Sequence, residues 1–271
     1  MADPVVLVEK KDEERIWVIT MNRPERRNAL GGGMIPELNR IWQEFRDTKQ
    51  ARVAILTGSG TVFSAGADLK EMRERREATD AGEKPQSVPA SPFAAPVGSP
   101  AAEALNLWKP VIGAINGPAI AGGFLVAMNC DIRIAIEGAR FGVSEAKWGQ
   151  GGSGIMAPLT RIMGLGHALE FCLWGDGQME AQRAFEMGFV NQIVSPEKLM
   201  DTAMEWATRM VYLAPRSVRN VKQMLYKGYY MDPPSALNYA QNLEQNLIGM
   251  KDGIEGLRAF AEKRPPNFLD E

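Results

Sequence analysis

The stretch from Trp108 to Gly149 constrains this chain more than any other. Lys109 precedes Pro110, which disfavours helix, and Val111 to Ile115 is a short apolar run, so a buried strand is predicted there. Asn116-Gly117-Pro118 marks a turn. A helix can begin near Gly122-Gly123 and run through Leu125, Val126 and Met128, before Ile132 to Ile136 opens another strand. The product is a glycine-bearing helix start at the carboxyl end of a strand. Exposed backbone N–H groups and the positive end of the helix dipole can hold negative charge there. The segment reads as an oxyanion site.

The flanking sequence extends the same alternation. Val5 to Val8 and Ile16 to Met21 surround polar Glu9 to Arg15, the pattern of a β-hairpin. Asn22 to Leu30 reads as a loop, and Ile35, Leu38, Ile41, Trp42 and Phe45 then recur at helical spacing. Val53 to Thr57 predicts a further buried strand, closed by Gly58-Ser59-Gly60. Such alternation predicts an α/β fold with a largely parallel sheet. Arg73 to Ala104 interrupts it, beginning charged and then carrying Pro85, Pro89, Pro92, Pro96 and Pro100. That composition buries little apolar surface, so a mobile insertion is expected over about 73–104. A sharper reading makes it a lid over an acyl pocket, using Met72, Val88 and Phe93. Beyond Gly149 the pattern is helical: Thr160–Trp174, Ala181–Met187, Leu199–Val211, Ser217–Tyr226 and one or two helices over Asn238–Phe260. The expected division is a core over 1–210 and a helical region over 211–271 that caps it or mediates assembly.

Composition narrows the function classes. With 24% charged residues and a net charge of −2 there is no case for a nucleic-acid partner. Cys130 and Cys172 lie in apolar surroundings and suggest neither a disulfide framework nor a metal site. The charged N-terminal segment has no apolar signal core. Val111 to Met128 contains Asn116, Pro118 and four glycines, which suits a strand–turn–helix better than a membrane span. A cytoplasmic protein without a membrane partner is expected. Gly149 to Gly154 fits G-x-G-x-x-G but lacks the preceding strand that a dinucleotide site needs. His167 is the only histidine, which leaves little for a Ser-His-Asp triad or a multi-histidine metal site. The six tryptophans share no spacing and read as packing residues.

With Phe63-Ser64-Ala65-Gly66-Ala67-Asp68-Leu69 upstream and Phe141-Gly142-Val143-Ser144-Glu145 downstream, the central stretch resembles the enoyl-CoA hydratase/isomerase (crotonase) superfamily from about Ile16 to Phe268. The resemblance implies a crotonase-like ββα spiral core with a helical C-terminal region. It also implies an acyl-CoA thioester substrate, coenzyme A as part of that substrate with no metal or redox cofactor, and a homotrimer or homohexamer. The backbone N–H groups of Ala67 and Gly122 would hold the thioester oxygen. The small side chains of Ser64 to Ala67 are consistent with close approach to the main chain. Glu145, in a segment otherwise poor in charge, becomes the acid/base candidate.

Leu125 is the informative departure. Hydratases of the resembled family carry a second glutamate there, whereas one glutamate suffices to move a proton between two carbons of an enolate. Double-bond isomerisation with Glu145 as single shuttle is therefore the leading expectation. The alternatives are an enoyl-CoA hydratase, hydrolase or lyase with a second acid from elsewhere, or a non-catalytic acyl-CoA- or RNA-binding relative. Arg26, Arg27 and Lys70 are candidates for the coenzyme A phosphates. Ala29, Ala65, Asp68, Leu69, Gly123 and Leu125 are expected to line the substrate, and Phe260 and Lys263 to reach a neighbouring subunit's coenzyme A.

Overall fold

The apolar runs resolve into two sheets in the computed structural model, which describes residues 3–80, 98–149, 156–174 and 177–271. The first sheet holds β1 (Val6–Lys11), β2 (Ile16–Met21), β3 (Val53–Gly58), β4 (Val111–Ile115), β6 (Ile132–Ile136) and β9 (Gln192–Val194), in that order. Only the β1–β2 hairpin is antiparallel; every later pair in this sheet is parallel. A three-stranded sheet joins β5 (Ala119–Ile120), β7 (Arg140–Gly142) and β8 (Met179–Glu180), with β5 and β7 parallel.

A parallel sheet needs cover on both faces, and β2, β3 and β4 are accordingly apolar on both. One face receives α1 (Met34–Asp47), whose Met34, Leu38, Ile41, Trp42 and Phe45 are buried. Phe45 meets Trp17 of β2 with ring centroids 5.5 Å apart. The other face is covered by α7 (Leu199–Val211), whose Ala203, Ala207 and Val211 join Ile16, Ile55, Ile112 and Ile134. Between these lie α2 (Leu69–Asp80), α3 (Ala102–Leu105), α4 (Gly122–Met128), α5 (Leu159–Leu173) and α6 (Ala181–Glu186). The predicted C-terminal region consists of α8 (Pro215–Gly228), α9 (Pro233–Gln245) and α10 (Lys251–Glu262), beginning where α7 ends. No helix among the described residues is long and apolar enough to cross a membrane.

The interruption expected to start at Arg73 does not start there. Arg73 to Asp80 continue α2, where Lys70–Glu74 at 3.8 Å and Arg73–Glu77 at 3.4 Å are ion pairs at the spacing that favours helix. At the far end, Trp42 Nε1 donates to the Gly98 carbonyl at 2.8 Å, and Ser99 and Ala102 are buried. The remainder of the expected insertion, with Val88 and Phe93, lies outside the described residues, as do Gln150 to Gly154 of the glycine-rich motif.

Candidate active site

Two loops are zipped together by main-chain bonds at the carboxyl ends of β3 and β4. The N–H groups of Phe63 and Ser64 both donate to the Pro118 carbonyl at 3.1 Å, and Ile120 N–H donates to the Ser64 carbonyl at 2.9 Å. Ser64 and Ala119 thereby form a parallel bridge. Glycine is needed where the loops touch. Gly66 sits at φ +84°, and a Cβ on it would stand 2.6 Å from the Ile120 carbonyl and 2.8 Å from Gly122 N. A Cβ on Gly123 would collide with the Ser64 carbonyl.

This contact brings the two sequence-predicted donors together. A Cβ on Gly122 would lie 3.5 Å from Ala67 N, so the main-chain nitrogens of Ala67 and Gly122 sit on adjoining segments. Neither donates a hydrogen bond to another described residue. Gly122 opens α4, and Ala121 before it adopts φ 52°, ψ −122°.

A buried polar hub supports these segments. Asn28 is fully buried: its Oδ1 accepts from Arg23 N–H at 2.9 Å, and its Nδ2 donates to the carbonyls of Ser59 at 2.9 Å and Val62 at 2.7 Å. Ser64 Oγ donates to the Asn28 carbonyl at 2.8 Å and accepts from Gly66 N–H at 3.2 Å. Ala65 N–H donates to the Arg27 carbonyl at 3.0 Å and Leu30 N–H to the Gly66 carbonyl at 2.8 Å. The segment carrying Arg26, Arg27 and Ala29 is therefore laced to the one carrying Ala65 and Ala67. Sequence reasoning missed Arg23, Asn28 and the Ser64 hydroxyl, because polar residues in a loop pattern carry no sign of burial.

Glu145 reaches the same end of the molecule through β7. Strands β5 and β7 run parallel, Ile120 pairs with Gly142, and Ala121 N–H donates to the Gly142 carbonyl at 2.8 Å. Both chains then leave the sheet in the same direction, one into Gly122 and the other into Glu145. Glu145 precedes a 3-10 turn over Ala146–Trp148 and is half-buried. Its Oε2 is buried without a hydrogen-bond partner among the described residues. A buried acceptor left unpaired costs about 1–3 kcal/mol and calls for an explanation. Cys172 of α5 registers this carboxylate: burial, and secondarily the charge of Glu145, push its thiol up.

The remaining candidates separate. Leu125, 2% exposed, belongs to the main apolar core, and its N–H donates to the Ala121 carbonyl at 3.1 Å. The Asp68 carboxylate is engaged by Arg23 at 3.3 Å and by Glu71 N–H at 3.4 Å, which ties the loops around it together. Burial raises that carboxyl, but the Glu71 N–H and the arginines outweigh it and hold Asp68 below the usual carboxylate range. Arg26, Arg27, Leu69 and Lys70 are exposed. Phe260 is 87% exposed and Lys263 ends α10 in the left-handed conformation, so a single chain buries neither. His167 is exposed, 3.5 Å from Glu170. No group of three or more His, Cys, Asp or Glu side chains among the described residues could hold a metal ion. Concavities of about 330 Å³ beside Trp174 and Arg183 and about 540 Å³ beside Arg258 and Asn267 do not include Ala67, Gly122 or Glu145.

An α/β core in which the segments of Ala67 and Gly122 meet, with a glutamate following a neighbouring strand, defines a recognisable class. The family model described as enoyl-CoA hydratase/isomerase matches residues 11–271. A short-chain-enoyl-CoA hydratase of Clostridium acetobutylicum is 36% identical over 262 residues, covering 96% of this chain and 95% of that protein. An (E)-benzylidenesuccinyl-CoA hydratase of Thauera aromatica is 34% identical over 253 residues, covering 92% and 94%. The crystal structure of an enoyl-CoA hydratase from Bacillus anthracis superposes with a TM-score of 0.86 at 31% identity, covering 99% of this chain and all of that one. The chain belongs to the enoyl-CoA hydratase/isomerase family, and its fold is the crotonase fold.

Proposed function

We propose that this protein adds water across the double bond of a 2-enoyl-CoA thioester. The observation that carries the reading is the close approach of the segments of Ala67 and Gly122, whose N–H groups would hold the thioester oxygen. Two oriented donors stabilise the negative charge that develops on a thioester oxygen, and losing one such donor typically costs roughly 2.7–4 kcal/mol of barrier. Glu145 supplies the proton chemistry. Its carboxylate takes a proton from water as the water oxygen bonds to C3, and the π pair of C2=C3 moves toward the thioester to give the enolate. The enolate then collapses, and C2 takes the proton from Glu145. One carboxylate thus returns to its starting state, with H and OH of one water added.

Hydration displaces the isomerisation expected from Leu125. It is favoured because the relatives described above are named hydratases along nearly their whole length, and because one glutamate can both take and return the proton. Isomerisation stays as the second reading, carried by Leu125, which places an apolar side chain where hydratases of the family carry a second acid. Arg26, Arg27 and Lys70 would meet the phosphates of coenzyme A, which arrives with the substrate. The exposed Leu225, Leu257 and Phe260 of the C-terminal helices would form subunit contacts in a homotrimer or homohexamer, carrying Phe260 and Lys263 to a neighbour's coenzyme A. Offering 2-enoyl- and 3-enoyl-CoA of several lengths, and following hydration and bond migration separately, tests the reading. Bond migration without hydration would overturn it in favour of isomerisation.

A further inference from the structure

Ala121 holds a backbone conformation, φ 52°, ψ −122°, that glycine enters freely and that a residue with a Cβ enters only under strain. It directly precedes Gly122, so its ψ orients the peptide plane that carries the Gly122 N–H. Bonds on both sides hold it there. Its own N–H donates to the Gly142 carbonyl at 2.8 Å, its carbonyl accepts from Leu125 N–H at 3.1 Å, and the preceding Ile120 N–H is fixed to Ser64. The methyl has a definite neighbour: a Cβ on Gly66 would meet Ala121 Cβ at 2.9 Å. Gly66 is the residue before Ala67. The Ala121 methyl therefore lies on the side of Ala121 that meets the segment of Gly66 and Ala67.

We infer that Ala121 is a positioning residue for the two donors, its methyl restricting ψ and setting the spacing of the Gly122 and Ala67 N–H groups. The inference rests on the proposed role of those donors. Glycine would relieve the strain at this position, yet it would let the 121–122 peptide swing. Strain that persists where a simpler residue would fit is a sign of function when it orients a reacting group. Donors fixed in advance favour the transition state over the bound substrate, so loosening them lowers kcat while leaving the handle of the substrate bound as before.

The experiment compares wild type with Ala121→Gly and Ala121→Ser. Ala121→Gly is expected to melt at or above the wild-type temperature, to keep KM for 2-enoyl-CoA within about two-fold, and to lose roughly ten-fold in kcat, a part of the 10²–10³ lost when one donor is removed outright. Ala121→Ser, which retains the Cβ, recovers most of that loss. The second readout is the carbonyl stretch of bound hexanoyl-CoA labelled with ¹³C at the thioester, which needs no turnover. Wild type should lower its frequency relative to free ligand, and Ala121→Gly should return it toward the free value. An Ala121→Gly variant with a raised melting temperature but unchanged kcat and an unchanged band overturns the inference and leaves Ala121 merely strained. A bound thioester with no shift in wild type removes the donors' role and the inference with it. A wild-type shift without hydration removes only the reaction, and the band still decides the role of Ala121.

Discussion

Lys222 of α8 donates to the Asp131 carboxylate at 2.7 Å, with both side chains largely withdrawn from water. The same carboxylate accepts from Val111 N–H at 2.7 Å and from the Tyr226 hydroxyl at 2.9 Å, while Lys222 also donates to the Lys109 carbonyl at 2.8 Å. One outer helix is thus pinned to the start of β4, the strand that leads to Gly122. Burial, with the neighbouring Asp131 charge, pushes the Tyr226 hydroxyl up, so it stays a donor throughout the accessible range.

Removing the cation while leaving the anion buried is the costly change. Lys222→Met should lower unfolding free energy by about 3–5 kcal/mol, the usual cost of breaking a buried pair from one side. Urea unfolding should show a lower midpoint at unchanged slope. A loss below about 1 kcal/mol would place this pair with exposed ones.

Glu145→Gln should reduce turnover by roughly 10²–10⁴-fold, because the amide can neither take nor return a proton. Affinity for a saturated acyl-CoA, measured by calorimetry, should stay within a few-fold of wild type. Wild-type turnover in this variant would send Glu145 back to a structural role.

Leu125→Glu places a carboxylate in the apolar core behind α4. The expected outcome is a lower melting temperature, since an unpaired buried acid is costly. If the new carboxylate reaches the substrate, the ratio of hydration to bond migration rises as well. Kinetics on both substrate types measure that ratio, and a variant as stable as wild type would show that Leu125 lies less deeply than its 2% exposure indicates.

Asp270 gives stability a defined pH dependence. Arg219 donates to it twice, at 2.7 and 2.9 Å, with Arg216 at 3.8 Å. Burial raises this carboxyl, but the Arg219 bonds and charge, helped by Arg216 and Arg52, outweigh it and hold Asp270 below the usual carboxylate range. A depressed folded-state value means the contribution is complete above the unfolded carboxyl's value, about 3.9, and is lost as pH falls through the folded value. Asp270→Asn should therefore be less stable than wild type near neutral pH, with the gap closing below about pH 4. Unfolding curves from neutral to acid check this, and a gap that persists into strong acid would refute it.

Much of the fold was legible because its signals are local. The hairpin, α1, β3, β4, α4 and β6 each announce themselves through apolar runs or periodicity, and their observed bounds lie close to the expected ones. The two-residue β5 and three-residue β7 were not legible, since neither is long enough to show a period, yet their pairing brings Glu145 toward Gly122. Asn28, Ser64, Asp131 and Arg133 read as ordinary polar residues; only tertiary packing shows that Arg133 is buried and bonded to the carbonyls of Phe189 and Cys130. At Arg73 composition misled, because ion pairs one helical turn apart keep a charged run helical.

The bridge between Ser64 and Ala119 also governs when function can emerge during folding. The partners are distant in sequence, and they follow directly on the parallel pair β3–β4. Closing so long a loop is slow relative to forming the β1–β2 hairpin or the C-terminal helices. A refolding chain should accordingly recover most of its helical signal before the segments of Ala67 and Gly122 come together.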